Sequence, residues 1–205
     1  PRAHRDEQLA GAGGLLGWPI MVKPSRCGSS IATTMARNFE ELHRGVLRAF
    51  EVDQEVLLEE YIKGTEVTCG VLDLAESFGG RIVCPPTEIR PRIGDFFNYD
   101  NKYRPGATEE TTPARISESL THRVQTISEK AHELLGCFGM SRSDMIIPED
   151  GNPVFLETNT LPGMTQTSLL PQGAAAIGLN MTSMMTGLIE GVFESLIEKG
   201  ARENQ

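Results

Sequence analysis

An arginine, an aspartate, a glutamate and an asparagine recur here at the spacing of two neighbouring strands. Arg142-Ser143-Asp144-Met145-Ile146-Ile147 is followed by Glu149-Asp150-Gly151-Asn152, then by Val154-Phe155-Leu156-Glu157-Thr158-Asn159. Two apolar runs joined by Asp-Gly read as a β-hairpin. With Asp150-Gly151 as a two-residue turn, facing residue numbers sum to a constant. Asp144 then lies opposite Glu157, and Arg142 opposite Asn159. Side chains alternate faces with period two, so all four project from one side. Two facing carboxylates repel by roughly several tenths of a kcal/mol or more unless a cation lies between them. Hard oxygen donors beside a guanidinium, with no Cys or His nearby, suit magnesium bound together with phosphate. A solvated polar face on an edge hairpin is the plainer reading of the same residues. Pro148 and Pro153 flank the turn, and a longer loop would alter the register.

Three other stretches carry groups capable of chemistry. Lys23 ends an otherwise apolar strand, where a lysine must snorkel, pair or meet an anion. The loop beyond it, Ser25-Arg26-Cys27-Gly28-Ser29-Ser30, offers N–H and hydroxyl groups to phosphate oxygens, although a plain turn has the same composition. No GxxxxGK[ST] motif occurs, which argues against P-loop folds. Glu59 and Glu60 end an apolar run and read either as ligand groups or as a solvated strand end. Phe96-Phe97-Asn98-Tyr99-Asp100-Asn101-Lys102-Tyr103 places aromatics beside a lysine in a long polar stretch. It suits a loop that orders over a ligand, or one packed by its own aromatics. His4, His43, His122 and His132 fall in no such motif, and surface or helix-face roles are expected.

The elements that must position these groups follow from periodicity. Residues 18–24 read as a buried strand ended by proline, and 31–35 as a return to extended chain. Asn38-Phe39-Glu40-Glu41 opens a helix, with Leu42, Val46, Leu47 and Phe50 at helical spacing. Strands are expected over 56–62, 66–74 and 81–84, and residues 91–113 are too long for a simple connection. Leu120, Val124, Ile127, Ala131 and Leu134 mark one amphipathic helix after Ile116. Met184, Met185, Leu188, Ile189, Val192, Phe193 and Leu196 mark another over 181–197, its methionines filling core. Residues 1–14 show no clear period and read as a frayed end or connector.

Composition bounds the function. A chain of 205 residues can bury a real core, and a formal charge of −9 argues against non-specific nucleic-acid binding. No apolar run approaches the roughly 18 residues of a membrane span. Cys27, Cys69, Cys84 and Cys137 are scattered without metal spacing and read as free thiols of a reducing compartment. The chain opens on Pro1 rather than Met, so a fragment or processed piece is expected.

Glu157-Thr158-Asn159-Thr160-Leu161-Pro162-Gly163-Met164-Thr165, with Asp144 before it and Ser168-Leu169 after it, resembles the metal and substrate segment of D-alanine–D-alanine ligases, members of the ATP-grasp superfamily. Val22-Lys23-Pro24 with Gly28-Ser29-Ser30 resembles their phosphate lysine and phosphate-covering loop. Leu57-Leu58-Glu59-Glu60-Tyr61-Ile62 with Gly64-Thr65-Glu66 is similar to their adenine and ribose segment, and 96–103 to their active-site lid. The resemblance implies an α+β ATP-grasp fold whose two lobes, with antiparallel-rich sheets, sandwich ATP. The small lobe would be 1–63, with 1–14 a disordered connector, and the large lobe 64–205, with the metal and substrate site.

Roles follow from the resemblance. Lys23, Ser29, Ser30, Glu59, Glu60, Ile62, Glu66 and Lys102 would bind ATP, with the backbone of 60–62 at the adenine and Glu66 at the ribose. Asp144, Glu157 and Asn159 would hold two Mg2+ ions, with Mn2+ as a substitute. Gly163, Ser168 and Leu169 would hold the second D-alanine. Arg142 would stabilise an oxyanion, and Ser29 and Tyr103 would complete the catalytic set. The implied reaction is cytoplasmic, ATP-dependent joining of two D-alanines through an acyl phosphate, for peptidoglycan precursors. The implied partners are D-alanine, ATP and an amino-terminal domain that this chain lacks, without nucleic acid or membrane; a homodimer stays open. This piece alone would be weak or inactive. Another ATP-grasp carboxylate–amine ligase and a non-catalytic nucleotide-binding fragment are the alternatives.

Overall fold

The computed structural model describes residues 2–28, 30–91 and 108–203, so Ser29, Lys102, Tyr103 and the 96–103 stretch lie outside the described residues. The chain divides into two compact units, one built on 1–62 and the other on 63–90 and 110–205. Both combine helices with antiparallel sheet, the α+β class expected from the sequence.

The first unit holds α1 (Arg2–Leu16), β1 (Ile20–Pro24), β2 (Thr34–Ala36), α2 (Phe39–Phe50) and β3 (Val56–Glu60). β1 is central and antiparallel to both neighbours. Ile20, Val22, Leu42, Val46 and Ala49 form the core beneath α2. Asn38 caps that helix by accepting the Glu41 N–H at 3.0 Å, while Glu41 accepts the Arg37 N–H at 2.9 Å. This is a capping box reaching one residue further back than usual.

Two expectations are corrected here. Residues 2–14 are not a connector but most of α1. Its glycines cost helix propensity, and the docking of Leu9 and Leu16 into the core outweighs them. Gly13 also has a packing reason, since a Cβ there would meet the Trp18 ring at 2.7 Å. Extended chain resumes at Thr34, not at 31, because Ser30 (φ 56) and Ala32 (φ 53) are left-handed and close successive turns.

The second unit contains β4 (Gly64–Asp73), β5 (Arg81–Val83), β6 (Thr87–Pro91), β7 (Thr108–Thr111), α3 (Glu118–Leu134), β8 (Met140–Pro148), β9 (Val154–Asn159), α4 (Leu169–Ala176) and α5 (Met181–Glu203). Its sheet runs β7-β6-β4-β8-β9, and β5 pairs with β4 beyond β6. α3 covers one face through Val67, Cys69, Val124, Met145 and Ile147. α4 and α5 close a second core around Leu72, Leu170, Met184 and Leu188. β6, β7 and α4 escaped the sequence reading. The two strands are short and rich in Thr and Glu, and α4 carries Pro171, tolerated because it lies in the first turn.

Both long helices bury less of their apolar stripe than expected. On α3 the buried line is Val124, Ser128 and His132, while Leu134 is 87% exposed. On α5, Met184 and Leu188 are core, but Met185, Ile189, Phe193 and Leu196 are exposed. α5 also packs through small residues on the segment that follows β4, because a Cβ at Gly191 would lie 2.9 Å from the Ala75 backbone nitrogen.

His132 is not a surface residue: it is fully buried. Its Nε2 lies 2.8 Å from Asp73 Oδ2 on β4, and its Nδ1 lies 2.7 Å from Ser141 Oγ on β8. Arg81 donates to Asp73 Oδ1 at 2.7 Å and to Glu133 at 2.7 Å. α3, β4, β5 and β8 are thus joined at one end. Burial would raise the Asp73 pKa, but hydrogen bonds from Arg81 and His132 outweigh it and hold the carboxyl below its ordinary value. A depressed folded pKa contributes stability above the unfolded value, lost as pH falls through the folded one. Asp73→Asn should therefore lower unfolding free energy at neutral pH by about 1.5–3 kcal/mol, and should flatten the acid limb of the stability curve below about pH 4. Denaturant unfolding across pH checks both.

Candidate functional site

β8 lies between β4 and β9, so its residues face partners on both sides. Arg142 pairs with Gly70 and Asn159, and Asp144 with Thr68 and Glu157. The facing pairs read from the sequence are present, but not through a two-residue turn. Gly151, at φ 74, closes a turn with its N–H on the Pro148 carbonyl at 3.0 Å. Next to the turn the pairing is Ile146 with Val154 and Met145 with Phe155, one residue off the expected register. A bulge between Asp144 and Met145 leaves Leu156 as the extra residue and restores the pairing at Glu157.

The result is one polar face. Arg142 holds Asp144 with two parallel bonds, Nε to Oδ1 at 3.0 Å and Nη2 to Oδ2 at 2.9 Å. Thr68 donates to Asp144 Oδ1 at 2.5 Å. Asn159 Nδ2 donates to Asp144 Oδ2 at 3.2 Å and to Glu157 Oε1 at 3.4 Å. Burial alone would lower the Arg142 pKa, but Asp144, with the charges of Glu157 and Glu66, raises it above its ordinary value. Glu66 is two residues along β4 from Thr68, on the same face. Thr68 escaped the sequence reading because only the β4–β8 pairing sets it against Asp144.

The face has a helix start beside it. Ser168 is the N-cap residue of α4, and its hydroxyl turns back to accept the Thr165 N–H at 3.0 Å. Gly163 lies against it, since a Cβ there would meet Ser168 Oγ at 2.8 Å. With Leu169 this gathers the three residues assigned to the acceptor at a helix N-terminus, where N–H groups and the helix dipole favour a carboxylate. Leu170 fixes that helix by seating over Gly70, where a Cβ would lie 2.3 Å from its Cδ1. Gly70 is the strand partner of Arg142.

In the first unit, Lys23 and Glu59 form an ion pair, reaching diagonally across β1 and β3. Met21, Lys23, Leu57 and Glu59 share the face that α2 does not cover. Glu60, paired with the buried Ile20, projects from the opposite face, so its side chain does not join Lys23. Tyr61 donates its N–H to the Pro19 carbonyl at 3.3 Å, and Ile62 lies past the end of β3. Ser30 sits in its left-handed turn.

Among the described residues, no three His, Cys, Asp or Glu side chains gather to hold a metal. Two carboxylates and an amide oxygen are a poor cage, but they suit magnesium, which keeps water and phosphate oxygens as further ligands. Among the described residues, no helix is long and apolar enough to cross a membrane.

Residues 2–190 match the family described as D-ala D-ala ligase C-terminus. The D-alanine–D-alanine ligase of Leptospira biflexa serovar Patoc is 46% identical over 177 residues, covering 84% of this chain and 49% of that protein. The chain thus spans about half the length of the curated relatives it matches. Among solved structures, the VanG D-Ala:D-Ser ligase of Enterococcus faecalis superposes with TM-score 0.79 at 36% identity, over 92% of this chain and 54% of that one. The D-alanine–D-alanine ligase of Bacillus anthracis complexed with ATP gives TM-score 0.72 at 35% identity, over 91% and 57%.

The seat of Leu170 on Gly70 gives a direct test. Gly70→Ala should destabilise the protein by about 1–3 kcal/mol, because Leu170 is buried and cannot move freely. Adding Leu170→Ala should be markedly less harmful than the sum of the two single changes. Denaturant unfolding of the four chains measures that coupling.

Proposed function

From the premise that the chain belongs to the family of D-alanine–D-alanine ligase C-terminal domains, we propose that it binds ATP with magnesium and serves the ATP-dependent joining of D-alanine to a second amino acid. The observation that carries this reading is the single face bearing Arg142, Asp144, Glu157 and Asn159. The names of the relatives and the ATP-bound neighbour support it.

Each residue's part follows from its hydrogen bonds. Asp144 already accepts from Thr68, Arg142 and Asn159, so it is held firmly in place. Among the described residues, Glu157 accepts only from Asn159, at a longer distance, which leaves it the greater capacity for a cation. Asp144, Glu157 and the Asn159 amide oxygen would hold magnesium, two ions by family resemblance, with manganese as a substitute. Bound magnesium would offset charge on the transferred phosphoryl group.

Lys23 would exchange Glu59 for phosphate oxygens, and Ser30, with Ser29 and Lys102, would meet the same phosphates. Glu59, the backbone of 60–62 and Glu66 would take the nucleoside. The carboxylate of the first amino acid attacks the γ-phosphorus to give an acyl phosphate and ADP. The amino group of the second then attacks the acyl carbon, and phosphate leaves through a tetrahedral intermediate. Arg142 spends two of its five N–H groups on Asp144. The rest are available to the oxyanion, where one donor is worth on the order of 3 kcal/mol. Gly163, Ser168 and Leu169 would hold the acceptor carboxylate, and Tyr103 would act from the lid. The product would be D-alanyl-D-alanine, made in the cytoplasm for peptidoglycan precursors. A D-serine acceptor is the second reading, favoured by the likeness to the D-Ala:D-Ser ligase.

Calorimetry with ATP, with and without magnesium, tests the reading on this chain's own residues. Binding should require magnesium. Glu157→Gln should weaken it on the order of tenfold or more, and Glu60→Gln by no more than about twofold. Equal losses, or no binding by the folded wild-type chain, would contradict it. In an active full-length context, phosphate release with D-alanine against D-serine as acceptor separates the two readings.

A further inference from the structure

The chain leaving β1 at residues 25–28 is tied to the connection between α2 and β3. Pro24 pairs with Val56, so the chain leaving β1 runs beside the chain entering β3. Ser25 N–H donates to the Glu55 carbonyl at 3.0 Å. Arg26 N–H donates to Asp53 Oδ2 at 2.6 Å, and Arg26 Nη2 to Glu55 Oε2 at 3.0 Å. Cys27 Sγ lies 3.8 Å from the Val52 carbonyl oxygen. The other Asp53 oxygen, Oδ1, accepts from Gln54 N–H at 2.6 Å and Glu55 N–H at 3.2 Å.

One carboxylate therefore fastens two segments. Oδ1 holds its own turn in shape, and Oδ2 reaches across to the loop. Exposed ion pairs such as Arg26–Glu55 contribute little, but a carboxylate accepting three backbone N–H groups is charge-assisted and directional. The same three N–H groups hold the Asp53 carboxyl below its ordinary pKa, with that of Arg26 the largest influence, so it is ionised at neutral pH. Beyond Cys27 the loop enters the turns closed by Ile31 N–H on Gly28 O at 3.3 Å and Thr33 N–H on Ser30 O at 3.1 Å. Lys23 lies three residues before Arg26, on the strand whose end this fastening fixes.

We propose that Asp53 is a positioning residue for nucleotide phosphate: by holding the Arg26 backbone, it sets residues 25–28 where their N–H and hydroxyl groups meet the phosphates. This rests on the ATP-binding reading above. Asp53 touches no substrate and acts through the loop. It is a carboxylate because both oxygens must accept. An asparagine would keep the turn through its single oxygen, but would present an NH2 group to the Arg26 N–H, donor against donor.

Asp53→Asn is therefore the separating variant. Calorimetry should show Mg·ATP binding weakened on the order of tenfold, the low end for losing an outer-shell partner, with adenosine binding and thermal midpoint unchanged. Unchanged Mg·ATP affinity, or an equal loss for ATP and adenosine together with a lowered midpoint, would overturn the proposal. Wild-type protein that binds neither ligand would instead overturn the ATP reading itself. A second measurement needs no variant. The Arg26 amide in the wild-type chain should exchange with solvent well below its unprotected rate, and exchange at the unprotected rate would also refute the proposal.

Discussion

Two carboxylates facing each other on neighbouring strands repel unless positive charge lies beside them. Asp144 and Glu157 are such a pair, and the structure answers with Arg142 on the same strand as Asp144. The guanidinium engages Asp144 through both oxygens, while among the described residues Glu157 accepts only a long bond from Asn159. The two acids therefore differ: Asp144 is tied to the arginine through both oxygens, and Glu157 is held less tightly.

That face exists only if the register holds, and several contacts specify it. On the reverse side, Ser143 Oγ and Thr158 Oγ1 lie 2.8 Å apart, so the strands are matched on both surfaces. Met145 is fully buried beneath α3, and a one-residue slip would drive it into solvent. The bulge at Leu156 absorbs the residue that the turn adds. Arg123 of α3 reaches the turn itself, donating to the Gly151 carbonyl and to Asn152 Oδ1, each at 3.1 Å. Packing, turn and helix thus agree on one pairing, as expected of a sequence whose local and global preferences coincide.

The sequence made the site more legible than the fold around it. Arg142, Asp144, Glu157 and Asn159 could be paired by arithmetic because two departures from a simple hairpin, the turn and the bulge, offset each other at Asp144 and Glu157. The turn was misread, and the bulge cancels its extra residue from Asp144 and Glu157 to the open end of the hairpin. Thr68 and Gly70 carried no local signal, because their importance comes from β8 lying beside β4, a long-range pairing. α1 was missed because its glycines hide a helix that only docking stabilises. The stripes of α3 and α5 misled for another reason. Periodicity reports which residues are apolar, whereas burial follows where glycines let a helix approach its neighbours, as Gly187 and Gly191 do against residues 73–78. His132 was undervalued because its partners, Asp73 and Ser141, are distant in sequence.

The central claim is that the Arg142–Asp144–Glu157–Asn159 face meets a divalent cation carried by nucleotide phosphate. Paramagnetic broadening of amide resonances by manganese with ATP tests it most directly. The account predicts the strongest broadening at residues 142–144 and 157–159, with weaker effects at Gly151, roughly 20 Å away along the strand. Broadening centred on the hairpin tip, or none at the facing acids while nucleotide is bound, would contradict it.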